Sequence, residues 1–166
     1  MSTNKLEPYG DDLDPTPPPW AQPRDIRDLF SYRLALLTRI NDRQAQNTLL
    51  GRYGITLGEW RTLAVVRYLG APSPRSVARA TQQDEGQVSR YVSSLIKRGL
   101  LSKTTSTEDR RVNDLAVTET GEALYGNVME FAWGMNRDMF EDLSREEQKQ
   151  LVALLDKLFK SVLRQE

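Results

Sequence analysis

Small and polar residues recur at helical spacing between Asp84 and Gly99. At 100° per residue they share one face of a helix, with Ser94 beside it, and apolar residues share the opposite face. The outer face consists of Gly86, Arg90, Ser93 and Lys97, with Gln87 beside it as well, and the inner face of Val88, Tyr91, Val92, Leu95 and Ile96. Gln87 and Ser89 join the outer face as candidate contacts. Small residues allow a backbone to enter the DNA major groove, and long polar side chains reach base edges and phosphates. The outer face therefore has the chemistry for contacting DNA.

A second candidate contact is the connection between two predicted strands. Leu101, Lys103 and Thr105 alternate with polar residues. Leu115 and Val117 do the same further along, and the two runs together indicate a β-hairpin. An arginine at a hairpin tip suits the DNA minor groove, where negative potential is focused, and hydroxyls there can donate to phosphates. The candidate residues of this connection are Ser106, Thr107, Arg110 and Arg111.

The composition removes the residues on which most catalysis depends. Histidine and cysteine are both absent from the 166 residues, so no imidazole base, thiol nucleophile or thiolate metal ligand exists. An enzyme would need a carboxylate pair or a lysine base. The acidic pairs at 11–12 and 146–147 are adjacent in sequence and do not converge on one site. We expect no catalytic residue, no metal site and no cofactor.

Membrane insertion and export are not expected either. No run approaches the ~20 apolar residues that span a bilayer. The polar, acidic start of the chain lacks the apolar segment of a signal peptide. The sequence predicts a soluble, cytoplasmic protein that does not associate with a membrane.

The N-terminal part of the chain predicts an arm followed by a helix. Residues 1–23 hold six of the eight prolines, which indicates a disordered arm that contains Trp20. Apolar residues then recur every three or four positions over residues 24–50 and predict a helix. Gly51 and Gly54 are expected to end it.

Three more helices are predicted before the hairpin. Residues 56–69 are apolar nearly all round, which is typical of a buried central helix. Ser73 before Pro74 caps a short third helix. Asp84 caps the fourth, and Gln87, three residues on, suggests a variant of the capping box.

The order of these elements predicts the fold class. Three helices with a tight turn within the last pair, followed by a two-stranded wing, make a winged helix-turn-helix. The chain as a whole is expected to be mostly α with a small β-wing, a winged helix-turn-helix plus a helical dimerisation lobe. Residues at the starts of the third and fourth helices join the predicted DNA contacts. They are Ser73, Arg75 and Glu85.

The charge is zero overall but unevenly distributed, with 23 basic and 23 acidic residues. Residues 51–113 carry eleven Lys or Arg and five Asp or Glu, a net +6. Residues 114–166 carry six and eleven, a net −5. A basic middle segment indicates a localised anionic partner such as nucleic acid, although the acidic part could also simply face it in the fold.

The wing and the fourth helix resemble the MarR family. The stretch 109–111, Asp-Arg-Arg, followed after five residues by Val-Thr-Glu-Thr-Gly at 117–121, is similar to that family's Asp-x-Arg…Leu-Thr-x-x-Gly pattern, with valine in place of leucine. Val-Ser-Arg at 88–90 and Arg-Gly-Leu-Leu at 98–101 resemble its recognition helix and exit. The resemblance covers roughly residues 26–163.

The resemblance implies a homodimeric, ligand-responsive regulator, most often a repressor, that binds a pseudo-palindromic operator in double-stranded DNA. It implies that Arg111 enters the minor groove and that Asp109 holds it by a salt bridge. It implies that Arg90 contacts the major groove or a phosphate. Glu85 and Gly86 depart from the family, which usually has a basic or hydroxylic residue there, and Glu85 is a candidate reader of a cytosine amine.

Two apolar stripes predict a homodimer, because a winged core of about 60 residues cannot cover both of them. One lies on the first helix, and the other on a last helix that a capping box of Ser144 and Glu147 starts. A helix over residues 118–142 would hold the winged helix-turn-helix parts of the two protomers about one DNA turn, ~34 Å, apart. The stripes consist of Ile26, Leu29 and Phe30, and of Leu151, Leu154, Leu155, Leu158, Phe159 and Val162.

Family pockets often take aromatic acids or phenols, and two arginines fit such a ligand. Arg33 falls on an apolar stripe and Arg61 follows Trp60, so each could pair a guanidinium with a carboxylate beside an aromatic or apolar surface. For either arginine alone, an internal salt bridge to a carboxylate of the fifth or sixth helix is the favoured explanation. Tyr32 and Tyr53 are further candidate wall residues.

These predictions divide the chain into three parts. Residues 1–23 form the arm, residues 24–50 and 118–166 the helical dimerisation lobe, and residues 51–117 the winged helix-turn-helix DNA-binding lobe. Two alternatives remain open: a winged helix used for protein–protein contacts, and a DNA-binding regulator that needs no ligand.

Overall fold

The computed structural model describes residues 18, 21–105 and 113–164, and it is mostly helical with one small sheet. The chain divides into two compact units, Met1–Thr48 and Leu49–Glu166. Four helices come first, then a β-hairpin, then two further helices. They are α1 (Phe30–Tyr53), α2 (Leu57–Leu69), α3 (Pro74–Thr81), α4 (Glu85–Lys97), β1 (Leu101–Thr105), β2 (Asn113–Val117), α5 (Glu119–Met139) and α6 (Arg145–Leu163).

The first helix begins later than its apolar pattern indicates. Asp25 caps a single 3₁₀ turn over Ile26–Asp28, and Leu29 then has an extended backbone, with φ −72° and ψ 122°. The Asp28 carboxylate accepts hydrogen bonds from Arg24 Nε and from the Arg24 N–H, both at 2.9 Å. These bonds lower the pKa of Asp28 to about 2. The prediction of a continuous helix from residue 24 is therefore wrong, because this capped turn interrupts it.

α1 also runs past its predicted end. Gly51 lies inside the helix, and Gly54, with φ +63°, follows its last residue. The Gly54 N–H donates to the Leu50 carbonyl and the Ile55 N–H to the Leu49 carbonyl, both at 3.2 Å. A glycine in the left-handed region after the last turn is a common helix end. Gly54 therefore ends the helix as predicted, and the prediction for Gly51 is wrong.

A closed apolar core lies among α2, α3, α4 and the hairpin. α2 begins at a capping box of Thr56 and Glu59. α3 begins with Ser73 as its cap and Pro74 in its first turn, as predicted. The fully buried side chains include Ile55, Leu63, Val66, Val77, Val88, Leu95, Leu101 and Leu115. This core fixes where α4 lies relative to the hairpin.

The prediction that α2 is buried nearly all round is wrong. Its buried residues recur at spacings of one to three over positions 59–66, where α3, α4 and β2 cover one side of the helix. Tyr68, in the last turn, is 86% exposed, and Leu69 is exposed as well. The neighbouring elements therefore cover only some of the apolar residues of α2.

The predicted hairpin forms, but burial alternates along it only in part, because Lys103 shares a face with Leu101 and is nevertheless exposed. β1 and β2 pair antiparallel, with Leu101 opposite Val117 and Lys103 opposite Leu115. Leu101 and Leu115 are buried while Lys103 is exposed. The Leu115 N–H also donates to the Pro72 carbonyl at 2.9 Å, which ties the hairpin to the turn before α3.

The last helix begins at its predicted capping box, and the fifth begins one residue later than predicted, with Thr118 as its cap. α5 starts after Thr118 and ends at Met139, three residues before the predicted end. α6 starts at the capping box of Ser144 and Glu147, whose two reciprocal hydrogen bonds both form. None of the residues of α6 is buried.

Candidate nucleic-acid interface

The outer face of α4 is exposed along its whole length. On the opposite face, Val88 and Leu95 are fully buried in the core, with Val92 between them. The helix therefore presents one chemically distinct face to the surroundings, as the spacing predicts. The exposed residues are Gly86, Gln87, Ser89, Arg90, Ser93 and Lys97.

The two ends of α4 are fixed by hydrogen bonds. Asp84 accepts from the Gln87 N–H at 2.9 Å. The predicted capping box is only half formed, because the Gln87 amide donates to the Tyr91 hydroxyl at 2.6 Å instead. At the other end Gly99, with φ +70°, lets the Leu100 N–H donate to the Leu95 carbonyl at 2.9 Å.

Ser94 is turned inward and joins α4 to α2. Its hydroxyl donates to Glu59 Oε1 at 2.5 Å. The Thr56 N–H and hydroxyl both donate to Glu59 Oε2 at 2.9 Å, and Arg98 lies 3.5 Å from the same oxygen. Sequence reasoning placed the start of the helix near Thr56 but missed both the capping box with Glu59 and the contact of Glu59 to α4. Spacing within one helix does not identify a partner on another.

Glu59 is a buried, ionised carboxylate, only 7% exposed. Burial acts to raise the pKa of Glu59, but the hydrogen bonds from Ser94 and Thr56 outweigh it and hold the pKa below its ordinary value. The charged form is therefore the one that this site stabilises.

An ion pair connects α3 to the first residue of α4. Arg75 Nε lies 3.4 Å from Glu85 Oε1, and both side chains are exposed. Ser73 lies at the start of the same short helix, where its hydroxyl accepts from the Ser76 N–H at 3.2 Å. The predicted contacts Ser73, Arg75 and Glu85 thus lie at the adjoining starts of two helices.

A groove of about 410 Å³ lies between α3 and the start of α4. Two arginines line it, and the buried Gln83 Oε1 in its wall has no hydrogen-bond partner among the residues that the structure describes. The lining residues are Arg75, Ala78, Arg79, Gln82, Gln83 and Glu85. Sequence reasoning missed Arg79, which lies four residues after Arg75, one helical turn further along α3.

The hairpin and α5 meet at a tight joint. The Thr118 hydroxyl donates to the Gly99 carbonyl at 2.6 Å and accepts from the Gly121 N–H at 3.0 Å. A Cβ at Gly121 would overlap the Leu100 carbonyl. The Thr-x-x-Gly spacing thus has a physical cause in this close approach. The predicted wing contacts Ser106, Thr107, Asp109, Arg110 and Arg111 lie outside the described residues.

The predicted ligand residues of the larger unit have different surroundings. Trp60 is buried against Tyr125, with ring centroids 5.3 Å apart, while Arg61 is exposed. The Tyr53 hydroxyl donates to the Asn127 carbonyl at 3.2 Å.

The arginine next to the aromatic cluster is one that sequence reasoning missed. Arg67 lies 4.3 Å from the centroid of the Tyr125 ring and 2.7 Å from Glu122 Oε2. The hydrogen bond to Glu122 raises the pKa of Arg67. Its one signal in the sequence is its position seven residues after Trp60, two turns along the same helix.

The other two predicted ligand residues belong to the smaller unit. Arg33 Nε donates to the Arg27 carbonyl at 2.6 Å. Tyr32, its neighbour in α1, is half-buried. The guanidinium of Arg33 is thus engaged by the turn that precedes α1.

Both predicted dimer stripes are exposed in the single chain. The six predicted residues of α6 are between 37% and 72% exposed. In the smaller unit Ile26, Leu29 and Phe30 are exposed as well. No helix in the described part of the chain has the length and hydropathy to cross a membrane.

Comparison with known proteins identifies relatives of this chain. The model of the MarR family matches residues 53–112. The chain is 32% identical over 115 residues to the HTH-type transcriptional regulator BilQ of Clostridium symbiosum (strain WAL-14163), covering 68% of this chain and 78% of that protein.

Two solved structures share the fold. A MarR/EmrR family transcriptional regulator from Acinetobacter sp. ADP1 has a TM-score of 0.73 at 25% identity, covering 81% of this chain and 94% of that one. BpsR of Bordetella bronchiseptica, in a structure on the regulation of its DNA binding by 6-hydroxynicotinic acid, has a TM-score of 0.73 at 26% identity. That match covers 82% of this chain and 97% of that one.

The helices, the hairpin and the exposed face of α4 define a winged helix-turn-helix DNA-binding protein. The chain belongs to the MarR family of transcriptional regulators. The prediction of the family and of its fold is confirmed, and the relatives are regulators of transcription rather than enzymes.

Proposed function

We propose that this protein is a homodimer that binds a pseudo-palindromic operator in double-stranded DNA and represses the adjacent genes. The observation that carries the proposal is the exposed face of α4, which combines Gly86 with Arg90 and Lys97, while Val88, Val92 and Leu95 anchor the opposite face in the core. A helix with this face can enter the major groove and reach both bases and phosphates. A regulator that binds such an operator would act in the cytoplasm.

The proposed contacts fall into two groups. Glu85, Gln87 and Arg90 face base edges, because they lie in the N-terminal half of α4. The remaining residues bind phosphates and fix the orientation of the protein on the duplex. These are Ser73, Arg75, Ser89, Ser93 and Lys97, with Ser106, Thr107 and Arg110 of the wing, while Arg111, held by Asp109, enters the minor groove.

Fluorescence anisotropy with DNA from upstream of the protein's own gene tests the proposal, with a scrambled duplex beside it. The native duplex should bind more tightly, and the affinity should fall steeply with salt because counterions are released. Arg90→Ala should weaken binding to the native duplex and relax the preference over the scrambled one, because Arg90 is a proposed base contact. Arg145→Ala is the matched control, since Arg145 is an exposed arginine on α6.

Equal, weak binding of both duplexes by the wild-type protein at moderate salt would contradict sequence-specific regulation. Equal losses from Arg90→Ala and Arg145→Ala would contradict the assignment of α4 as the reading helix. No binding at low salt would favour a winged helix used for protein contacts.

The homodimer is supported by the exposed apolar residues of α6. Leu154, Leu158 and Phe159 leave a large apolar surface in water, and a second copy can cover it across a two-fold axis. The stripe of α1, with Ile26, Leu29 and Phe30, offers a second such surface. Residues 24–50 and 118–166 would then form the dimerisation lobe. Sedimentation velocity over a concentration series measures the dimer directly, and a monomer at micromolar concentration would refute it.

A small aromatic acid or phenol is the proposed effector. BpsR, a structural relative, is regulated by such an acid, and the residues proposed to contact the effector are Tyr32, Arg33, Tyr53, Trp60 and Arg61. The acid would bind the free dimer more tightly than the DNA complex and so shift the population away from DNA.

Titration of the protein–DNA complex with 6-hydroxynicotinic or salicylic acid should release DNA, and cyclohexanecarboxylic acid, which lacks the aromatic ring, should not. Calorimetry then compares the affinity of the acid for free and DNA-bound protein. Equal affinities would exclude this mechanism and favour a regulator that needs no ligand.

A further inference from the structure

The first residue of the reading helix is an acid with a basic partner. Arg75 Nε lies 3.4 Å from Glu85 Oε1, with the two side chains 76% and 67% exposed. An exposed ion pair of this kind contributes little to the stability of a fold. The placement of a carboxylate at this point therefore calls for an explanation other than stability.

Glu85 lies at the end of α4 that would enter the major groove, since N-terminal residues of a recognition helix contact base edges. Its neighbours are already engaged or too short. Asp84 accepts from the backbone as the cap, Gly86 has no side chain, and the Gln87 amide donates to Tyr91. Among residues 84–87 of the described structure, Glu85 is thus the long polar side chain that is bonded neither to the backbone of α4 nor to another residue of α4.

A carboxylate discriminates among the four bases because it only accepts hydrogen bonds. In the major groove cytosine presents an amine donor, whereas guanine presents two acceptors and thymine an acceptor and a methyl group. Adenine has an amine, but its N7 acceptor lies next to it and repels a second carboxylate oxygen. Cytosine is therefore the base that Glu85 would favour.

Arg75 makes this acid compatible with DNA. A lone carboxylate near the duplex is repelled by the phosphates, and a guanidinium beside it cancels that charge. The ion pair uses Oε1, and a carboxylate has a second oxygen that can accept from a base. Arg79, in the wall of the same groove, adds a further positive charge.

We propose that Glu85 is the base-specificity residue for a cytosine in each half of the operator, and that Arg75 is the positioning residue that holds its carboxylate. This inference rests on the proposed function, since it presupposes that α4 enters the major groove. It assigns the chemistry at one base pair, which DNA binding as such leaves open.

Selection from a library of random duplexes tests the assignment, with enriched sequences counted for each variant of the full-length protein. The wild type should prefer cytosine by ~10-fold at one position in each half-site. Glu85→Gln should shift that position toward adenine, because an amide matches the donor and acceptor of that base. Glu85→Ala should make the position indifferent. All other positions should keep their preferences.

Arg75→Ala should weaken the cytosine preference at the same position, and Arg75→Lys should restore part of it. Because Arg75 is also a proposed phosphate contact, Arg75→Ala should lower the affinity for all duplexes as well. An unchanged base profile would show that Arg75 binds phosphate or supports the fold without positioning Glu85. Glu119→Gln is the matched control, since Glu119 is likewise the exposed first residue of a helix, α5. It should reproduce the wild-type profile.

Two outcomes would overturn the inference. In one, Glu85→Gln and Glu85→Ala raise the affinity for every duplex equally, which would make Glu85 only a repulsive charge. In the other, the wild type shows no cytosine preference in either half-site although it selects a defined sequence. Failure of the wild type to select any sequence would be a failure of the proposed function itself, and the two results are thus distinguishable.

Discussion

Helices α2 and α6 start with the same sequence pattern but have opposite surroundings. Each begins at a capping box, Thr56 with Glu59 in α2 and Ser144 with Glu147 in α6, with both reciprocal hydrogen bonds formed. Each also carries a stripe of large apolar side chains. The stripe of α2 is buried in the core of its own chain, whereas α6 has no buried residue.

The difference shows what local sequence determines and what it leaves to tertiary structure. The spacing of a hydroxyl and a carboxylate fixes where a helix begins, whether or not the helix is buried. The surroundings then decide what else the carboxylate does. Glu59 also accepts from Ser94 on α4, while Glu147 serves only its own cap among the bonds that the structure describes.

The largest expected contrast comes from truncating one leucine on each helix. Leu63→Ala in α2 should lower the free energy of unfolding by about 2–5 kcal/mol, because Leu63 is fully buried and a cavity would remain. Leu158→Ala in α6 should leave the stability of the isolated chain nearly unchanged and weaken the dimer instead. Urea unfolding at several protein concentrations separates the two.

The Leu63→Ala loss should not depend on protein concentration, and the Leu158→Ala loss should. A concentration-independent loss of the same size in both variants would show that α6 is covered within its own chain, which would contradict the proposed dimer surface.

A smaller contrast is expected between the two capping carboxylates. Glu59→Gln should cost about 1–3 kcal/mol of unfolding free energy, because it weakens buried, charge-assisted hydrogen bonds from Ser94 and Thr56. Glu147→Gln removes the same local pattern at an exposed site and should cost much less. Because only Glu59 contacts α4, only its variant should also weaken DNA binding, as anisotropy would measure. Equal effects on DNA binding would show that Glu59 acts as a helix cap alone.

The smallest contrast is the dependence of stability on pH. The pKa of Glu59 is held below its ordinary value near 4.5, although burial acts to raise it, because hydrogen bonds from Ser94 and Thr56 prevail. Its contribution is therefore present above pH 4.5 and is lost as the pH falls through the lower folded value. The unfolding free energy of Glu59→Gln should therefore fall less steeply with decreasing pH than that of the wild type. An unchanged slope between pH 5 and pH 2 would contradict the assignment.

Local signals in the sequence predicted most of the fold. Capping residues placed the starts of α3, α4 and α6, and alternation placed the two strands of the hairpin. The sequence did not predict the interruption of the first helix at Leu29, because the apolar spacing continues across it. Only the contact between Arg24 and Asp28 reveals the capped turn.

The candidate site was predicted only where one element carries it. The outer face of α4 follows from spacing within a helix. The contacts between elements did not: Ser94 was expected beside the outer face, yet it is bonded to Glu59, and the ion pair of Arg67 with Glu122 joins residues of α2 and α5. Such pairs depend on how helices pack, which no local pattern specifies.

The joint at Thr118 has a mechanical consequence. Through one hydroxyl, the first turn of α5 is bonded to the carbonyl that follows the reading helix, and Gly121 brings the two backbones into contact. α5 has 21 residues and is roughly 30 Å long, and its N-terminal end is fixed to the residue that follows α4. A rotation of α5 would therefore act on the end of α4 through this single hydroxyl.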